Sequence, residues 1–425
     1  MKQSKYNTFF ELDDLDQDKH VLYNTLHRKY LILNNEDKYL VDSLLTNLER
    51  ETFNLEETDY LKKLATIGSI IPNEYIELNQ LKFLYNQYKF NNNVFHIILN
   101  PTLNCNFRCS YCYEEHKTES FNEEIMNRII KLVERKSSEE NKIQVAWFGG
   151  EPLLEFDKIK HLTDMFKNIC SNNNCLYEAK IITNGYLLND KNIKKLKDLN
   201  ITNAQITLDG TKEYHDKKRH LQNGEGTYEK VKESCINILK NDIKLTLRVN
   251  IDEENYEDIS NLFNVIPDIY KKNVNFQASN LFQQKENLNF YLLYKKIIDN
   301  GFSFNDSSNR LIKCEAATPN AVTIYPDGKL TFCSLAAEEG NFFGNLDSDG
   351  RIKITNKELY YNFYSVDPFD TEICNDCIEL PMCMGTCVFT RFKNKGKCTK
   401  TAGLSLQDRM KLHVYNDKHF KHVLK

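Results

Sequence analysis

From about residue 94 the chain alternates short apolar strands with helical patterns, and this alternation leaves few folds open. Segments 94–99, 143–148, 179–183, 204–208, 244–251 and 274–277 read as strands. Between and after them, 123–134, 158–168, 190–199, 228–239 and 256–270 carry the three-to-four-residue apolar period of helices. Six strand–helix units predict an α/β fold with a parallel sheet and right-handed crossovers. They fit a partial (β/α)6, TIM-like barrel or a doubly wound open sheet, and periodicity does not separate the two. In either fold, sites are built at the C-terminal ends of the strands.

Directly after the first strand comes Cys105-x3-Cys109-x2-Cys112, with Tyr111 before the third cysteine. Three thiolates are one fewer than a closed zinc site or iron–sulfur cluster uses. Gly149-Gly150-Glu151-Pro152 follows the second strand, and its two glycines let backbone approach a neighbour closely. Together these motifs resemble the radical SAM superfamily. The resemblance implies a [4Fe–4S] cluster on Cys105, Cys109 and Cys112 whose open iron chelates S-adenosylmethionine. Reductive cleavage then gives a 5′-deoxyadenosyl radical that abstracts hydrogen from unactivated carbon.

The later strand ends carry Thr183-Asn184-Gly185, Thr207-Leu208-Asp209-Gly210 and Arg248-Val249-Asn250. Residues two apart share one face of a strand, so Thr207 and Asp209, like Arg248 and Asn250, can point into one cavity. Polar side chains aimed into a barrel need a partner, and a polar cofactor supplies one. The resemblance implies Arg248 on the SAM carboxylate and Thr183, Asn184 and Thr207 along its ribose and methionine. It further implies that the backbone of Gly149, Gly150 and Glu151 meets the amino group, and that Tyr111, Asp209 and Asn250 complete the cofactor site. Capping and turn chemistry is the plainer alternative for each residue taken singly. The stretch 209–227, with His215 and Arg219 four apart and a Gly224-x-Gly226-Thr227 end, is similar to a segment of radical SAM enzymes with a cysteine-rich extension. There the two side chains read as ordering their loop.

The chain has 425 residues, 56 Lys+Arg against 60 Asp+Glu, and a net charge of −4, which offers no basic footprint for nucleic acid. No apolar run approaches a membrane span, and the polar N-terminus lacks a signal-peptide core, so the expectation is a cytoplasmic protein with no membrane partner. Thirteen cysteines in such a chain point to metals rather than disulfides. Only Cys170, Cys175 and Cys235 lie outside two sets and read as structural.

The second set is Cys314, Cys333, Cys374, Cys377, Cys383, Cys387 and Cys398. Cys374, Cys377, Cys383 and Cys387 alone could close a zinc knot. The full order resembles the SPASM extension, which implies two auxiliary [4Fe–4S] clusters, and so three clusters in the chain. One would use Cys374, Cys377, Cys383 and Cys398, and the other Cys314, Cys333 and Cys387. Some relatives, notably sulfatase maturases, supply a further cysteine soon after the first; here Glu315–Asn320 has none, so either a non-cysteine group fills the second cluster's site or one iron is open to a substrate thiolate or water.

Residues 1–93 read as a separate module: a hairpin of 20–25 and 29–34, then helices near 37–47, 58–67 and 78–88. It resembles the winged-helix peptide-recognition domains of peptide-modifying enzymes, which bind a leader as an added strand, and a plain barrel-capping extension is the alternative. The expected domains are therefore 1–93, a barrel at 94–304 and a cysteine-rich domain at 305–425. The resemblance implies an enzyme that modifies a ribosomally made precursor peptide bearing a leader. It would form a thioether or carbon–carbon cross-link and draw electrons from a donor such as flavodoxin or ferredoxin. A formylglycine-forming sulfatase-type maturase is the alternative within enzymes, and a zinc-ribbon scaffold on a degenerate barrel the alternative outside them.

Overall fold

The computed structural model describes residues 1–11, 19–281, 288–304, 311–312, 314–394, 397–398 and 404–423. Two compact units emerge, and neither is continuous in sequence. The first contains Met1–Lys89, the segment ending at Cys314 and Val366–Lys425; the second contains Phe90–Asn305 and Glu315–Ser365. The segment 305–425, expected as one C-terminal domain, is thus shared between them.

In the first unit, β1 (Lys2–Gln3) pairs with β5 (Ile70–Ile71), and β2 (Asn7–Glu11), β3 (His20–Asn24) and β4 (Lys29–Leu33) form an antiparallel sheet in that order. Helices Asn35–Thr46, Leu55–Thr66 and Glu77–Lys89 follow the expected pattern. Asn34 and Asn54 cap the first two by accepting from the amides of Asp37 and Glu57. Two cores join this N-terminal segment to the C-terminal one. Tyr6, Leu81 and Tyr85 pack with Leu380 and Met384, and Phe10, Val21 and Tyr23 with Met382, Met410 and Val414.

The second unit is built on β6 (Val94–Leu99), β7 (Lys142–Trp147), β8 (Leu176–Thr183), β9 (Ile201–Thr207), β10 (Lys244–Ile251) and β11 (Val274–Asn280). These six are parallel neighbours in strict sequence order. A doubly wound sheet reverses its order at a switch point, whereas barrel-type winding does not. The winding is barrel-type. On the far side of β6 the sheet continues with parallel β12 (Ala321–Ile324), then antiparallel β13 (Lys329–Thr331), β14 (Phe342–Leu346) and β15 (Ile352–Ile354).

Alternation along the strands divides the two faces. Trp147 and Tyr177 lie against Phe166 of helix Phe156–Asn172, which marks the helix-covered face. Gln144, Lys180, Gln205, Arg248 and Gln277 fall on the opposite face and are half-buried. A filled barrel carries Val, Ile and Leu there; this polar lining leaves the interior to a ligand. The helix expected at 256–270 is instead a 3-10 segment, Glu257–Asn264, and a short α-helix, Asp268–Lys271. Pro267 separates them, since it has no amide to donate and disfavours helical backbone at Ile266. No helix among the described residues is long and apolar enough to cross a membrane.

Candidate functional site

The three cysteines lie on the loop that leaves the C-terminal end of β6. Cys105 is 8% exposed, Cys109 half-buried and Cys112 exposed. The loop is laced to segment 218–222: the amides of Arg108 and Ser110 donate to the carbonyls of His220 and Lys218 at 2.9 Å, and Gln222 N–H to Asn106 O at 3.1 Å. Phe107, fully buried, bridges to Leu221. Burial pushes all three thiols up, Cys105 to about 12. They ionise where a bound cation replaces the lost hydration, which is the behaviour of metal-ligating thiols.

Gly149 and Gly150 make a close approach, and the neighbour is the cysteine loop itself. A Cβ on Gly150 would stand 2.2 Å from Asn104 O, and one on Gly149 2.5 Å from Thr102 O. Gly150 N–H donates to Thr102 O at 3.1 Å and Glu151 N–H to Asn104 O at 2.8 Å. The Glu151 carboxylate is enclosed, accepting from Thr183 Oγ1 at 2.7 Å, Asn184 N at 2.8 Å and Leu153 N at 3.0 Å. Asn184 Nδ2 reaches Asn106 Oδ1 at 2.8 Å and Cys105 Sγ at 3.8 Å. Gly149, Gly150, Glu151, Thr183 and Asn184 therefore brace the ends of β7 and β8 against the cysteine loop. The polar side-chain atoms of the last three are directed at protein partners.

A second network surrounds Tyr111. Its hydroxyl donates to Asp209 Oδ2 and accepts from Arg219 Nη1 at 2.7 Å and Asn250 Nδ2 at 3.2 Å. Asp209, fully buried, also accepts from Asn250 N at 2.7 Å. Burial pushes its carboxyl up, and Arg219 opposes that shift. Arg248 Nε donates to Asn250 Oδ1 at 3.1 Å, its one hydrogen bond among the described residues. Burial lowers the Arg248 pKa. A desolvated guanidinium with both Nη groups uncommitted suits a ligand carboxylate. Thr207, its register partner on β9, is half-buried.

His215 is structural. Its Nδ1 accepts from Asp209 N at 3.1 Å, which leaves Nε2–H to donate to Thr227 Oγ1, and burial lowers its pKa to about 3. Arg219, read from sequence as ordering its loop, sits in the Tyr111 network and over the ring of Phe107. Asn100, at the exit of β6, is 1% exposed with neither amide atom partnered among the described residues. Nothing in the sequence singled it out.

The second cysteine set divides with the units. Cys314, Cys374, Cys377, Cys383, Cys387 and Cys398 belong to the first and Cys333 to the second. Cys383 is pushed up by burial and then by Cys374, Cys377 and Cys398, while Gly385 N–H opposes this. Those three neighbours are the cysteines that the SPASM resemblance groups with Cys383. Among the described residues no three Cys, His, Asp or Glu side chains converge closely enough to hold a single metal ion. Glu315, which follows Cys314, is committed elsewhere, paired with Lys180 Nζ at 3.1 Å.

The Radical SAM superfamily model matches residues 99–266, which span β6 to the 3-10 segment after β10. The chain carries a radical SAM domain. That family uses SAM and a [4Fe–4S] cluster. Over nearly its whole length the chain is similar to the radical SAM cyclopropyl synthase TigE of Paramaledivibacter caminithermalis, at 23% identity across 91% of this chain and 89% of that one. Among solved structures, anSMEcpe with bound AdoMet and a peptide aligns with TM-score 0.57 and 17% identity, covering 78% of this chain and 99% of that one. SuiB of Streptococcus suis bound to precursor peptide SuiA aligns with TM-score 0.51 and 13% identity, covering 95% and 98%. At these identities the structures establish the fold. Other similarity is confined to part of the chain: with an uncharacterized protein of Methanocaldococcus jannaschii it is 35% identical over 132 residues, 43% of that protein's length.

Proposed function

We propose that this radical SAM enzyme matures a ribosomally made precursor peptide, closing a thioether or carbon–carbon cross-link within it. The observation that carries the reading is the pairing of a radical SAM domain with a second cysteine set, Cys314, Cys333, Cys374, Cys377, Cys383, Cys387 and Cys398, outside the matched domain. The near full-length similarity to TigE, and the fold shared with a SuiB structure that holds its precursor peptide, support the same class.

When bound, SAM and the cluster on Cys105, Cys109 and Cys112 supply a carbon radical that takes hydrogen from an unactivated C–H bond. The chain's own residues do the rest. The Glu151 brace fixes the cysteine loop, and the Arg248 guanidinium receives the SAM carboxylate, with Thr207, Asp209 and Asn250 beside it. The half-buried lining of Gln144, Gln205 and Gln277 admits a polar peptide segment below that site. Auxiliary clusters on Cys374, Cys377, Cys383 and Cys398, and on Cys314, Cys333 and Cys387, would take the electron left over when a bond closes. The latter set is one thiolate short, and a non-cysteine group, water or a substrate thiolate fills that position; Glu315, next to Cys314, is paired with Lys180 Nζ at 3.1 Å.

In the first unit β4 is an edge strand, and an extended leader adds there through backbone hydrogen bonds. A cytoplasmic flavodoxin or ferredoxin completes the system as electron donor. The sulfatase-type alternative is less well supported, since the SuiB alignment includes the N-terminal region and reaches 95% of the chain against 78% for anSMEcpe.

The test is anaerobic co-expression with short peptides encoded beside the gene, read by mass spectrometry. A cross-link removes two hydrogens from the peptide and joins two residues in fragment spectra. Formylglycine formation, or no change with any peptide despite active SAM cleavage, overturns the proposal.

A further inference from the structure

We propose that Arg219 sets the redox poise of the cluster on Cys105, Cys109 and Cys112, acting as a buried fixed cation rather than as a ligand of SAM. The inference rests on the cluster assignment above and adds a role that spacing did not suggest.

Arg219 is 7% exposed, and its guanidinium lies 5.6 Å from the ring centroid of Phe107 and 6.0 Å from that of Tyr111. Those two rings flank Cys109 on either side in sequence. Nη1 is fixed on Tyr111 O–H, while Nε is buried with no hydrogen-bond partner among the described residues. The backbone beneath it is immobilised as well. Arg219 N–H donates to His215 O at 2.7 Å, and its carbonyl accepts from Thr227 Oγ1. His215 is held neutral by burial, so it adds no second positive charge. Asp209 is the carboxylate of the network and reaches Arg219 through the shared Tyr111 hydroxyl; no ion pair of Arg219 forms among the described residues.

The guanidinium is thus held against the cysteine loop itself, over the Phe107 ring and on the Tyr111 hydroxyl. A permanent cation in a water-poor setting interacts more favourably with the more negative, reduced form of an iron–sulfur cluster, and cluster potentials respond to such charge. Arg219 thereby eases the entry of the electron that starts turnover. The delocalised, weakly hydrated guanidinium suits a site closed to water better than an ammonium would.

The test is a redox titration of the full, anaerobically reconstituted chain followed by electron paramagnetic resonance. The signal that changes when SAM is added reports the radical SAM cluster. Arg219→Met keeps volume and removes charge. It is expected to lower the reduced-to-oxidised ratio at a fixed potential at least tenfold, a shift of about 59 mV for one electron. Arg219→Lys, which keeps the positive charge, should stay near wild type. An unchanged midpoint in iron-replete Arg219→Met, or Arg219→Lys moving as far as Arg219→Met, overturns the proposal. If Arg219→Met does not retain iron, Arg219→Gln is titrated against Arg219→Lys, and equal midpoints refute it. A wild-type protein with no SAM-responsive signal would instead remove the cluster assignment on which the proposal stands.

Discussion

Replacing Gly150 with alanine asks how firmly the cysteine loop is held against β7. The added Cβ would lie 2.2 Å from Asn104 O, 2.7 Å from Asn104 C and 2.8 Å from Leu103 O. Ordinary contact begins at 3.4 Å, so about 1.2 Å of separation must be opened. All three atoms are backbone, and no rotamer relieves them. The residue that must give is Asn104, whose next neighbour is Cys105. Reacting constellations tolerate about 0.5 Å of displacement, and a shift near 1 Å can cost about 100-fold in rate. Gly150→Ala should therefore lower formation of 5′-deoxyadenosine by about two orders of magnitude while costing about 1–3 kcal/mol of stability. Gly301→Ala is the control: that glycine, unlike Gly150, has positive φ, +84°, but an added Cβ there meets nothing within 4 Å. It should cost about 1–2 kcal/mol through backbone strain and leave SAM cleavage intact. The assay is anaerobic turnover under dithionite with iron content measured on the same preparation. Wild-type deoxyadenosine formation in Gly150→Ala would show that the loop is not positioned by this contact.

Each of Cys105→Ala, Cys109→Ala and Cys112→Ala should abolish SAM cleavage, and a single fully active variant would refute the site. Replacing Cys314, Cys333 and Cys387 together should remove about 4 of about 12 irons per chain and stop peptide modification while SAM cleavage survives; unchanged iron would dismiss that ligand set. His215, with its pKa lowered from 6.5 to about 3, stays neutral when folded but protonates when unfolded, so its contribution is present above pH 6.5 and is lost as pH falls towards 3. Between pH 7.5 and 5.5 wild type should lose about 1.4 kcal/mol more than His215→Gln in anaerobic urea unfolding, and equal losses would contradict that burial. A leader peptide should slow amide hydrogen exchange along Lys29–Leu33, whereas protection confined to the second unit would assign recognition to the barrel.

The barrel was legible because each of its strands carries its own apolar alternation. The strands 94–99 and 244–251 are found where the pattern put them, and the others shift by at most a few residues at either end. Strands β1, β2, β5, β14 and β15 went unread: they are short, and their place depends on partners supplied by tertiary structure. The division into units was equally hidden. It rests on contacts such as Tyr6 with Leu380 and Tyr23 with Met410, and no local periodicity encodes a pairing across more than 370 residues. At the site, cysteine spacing marked candidate ligands directly, because chemistry restricts thiolates to few uses in such a chain. Glu151 is different. Its sequence neighbours made it a candidate for the cofactor, and only the fold shows its oxygens enclosed by Thr183, Asn184 and Leu153.

The first unit is assembled from the two ends of the chain, and this sets a schedule for its birth on the ribosome. After Lys89 emerges, 276 further residues precede Val366, the start of the segment that completes its core. At about 5–20 residues per second, that is a wait of about 14–55 s. Throughout it Tyr6, Phe10, Val21, Tyr23 and Leu81, all buried in the finished protein, lack their C-terminal partners Leu380, Met382, Met384, Met410 and Val414. The barrel strands are made during that interval and can form their sheet first. Nascent chains should accordingly be most vulnerable to proteases and most dependent on chaperones at their N-terminal end until translation nears completion.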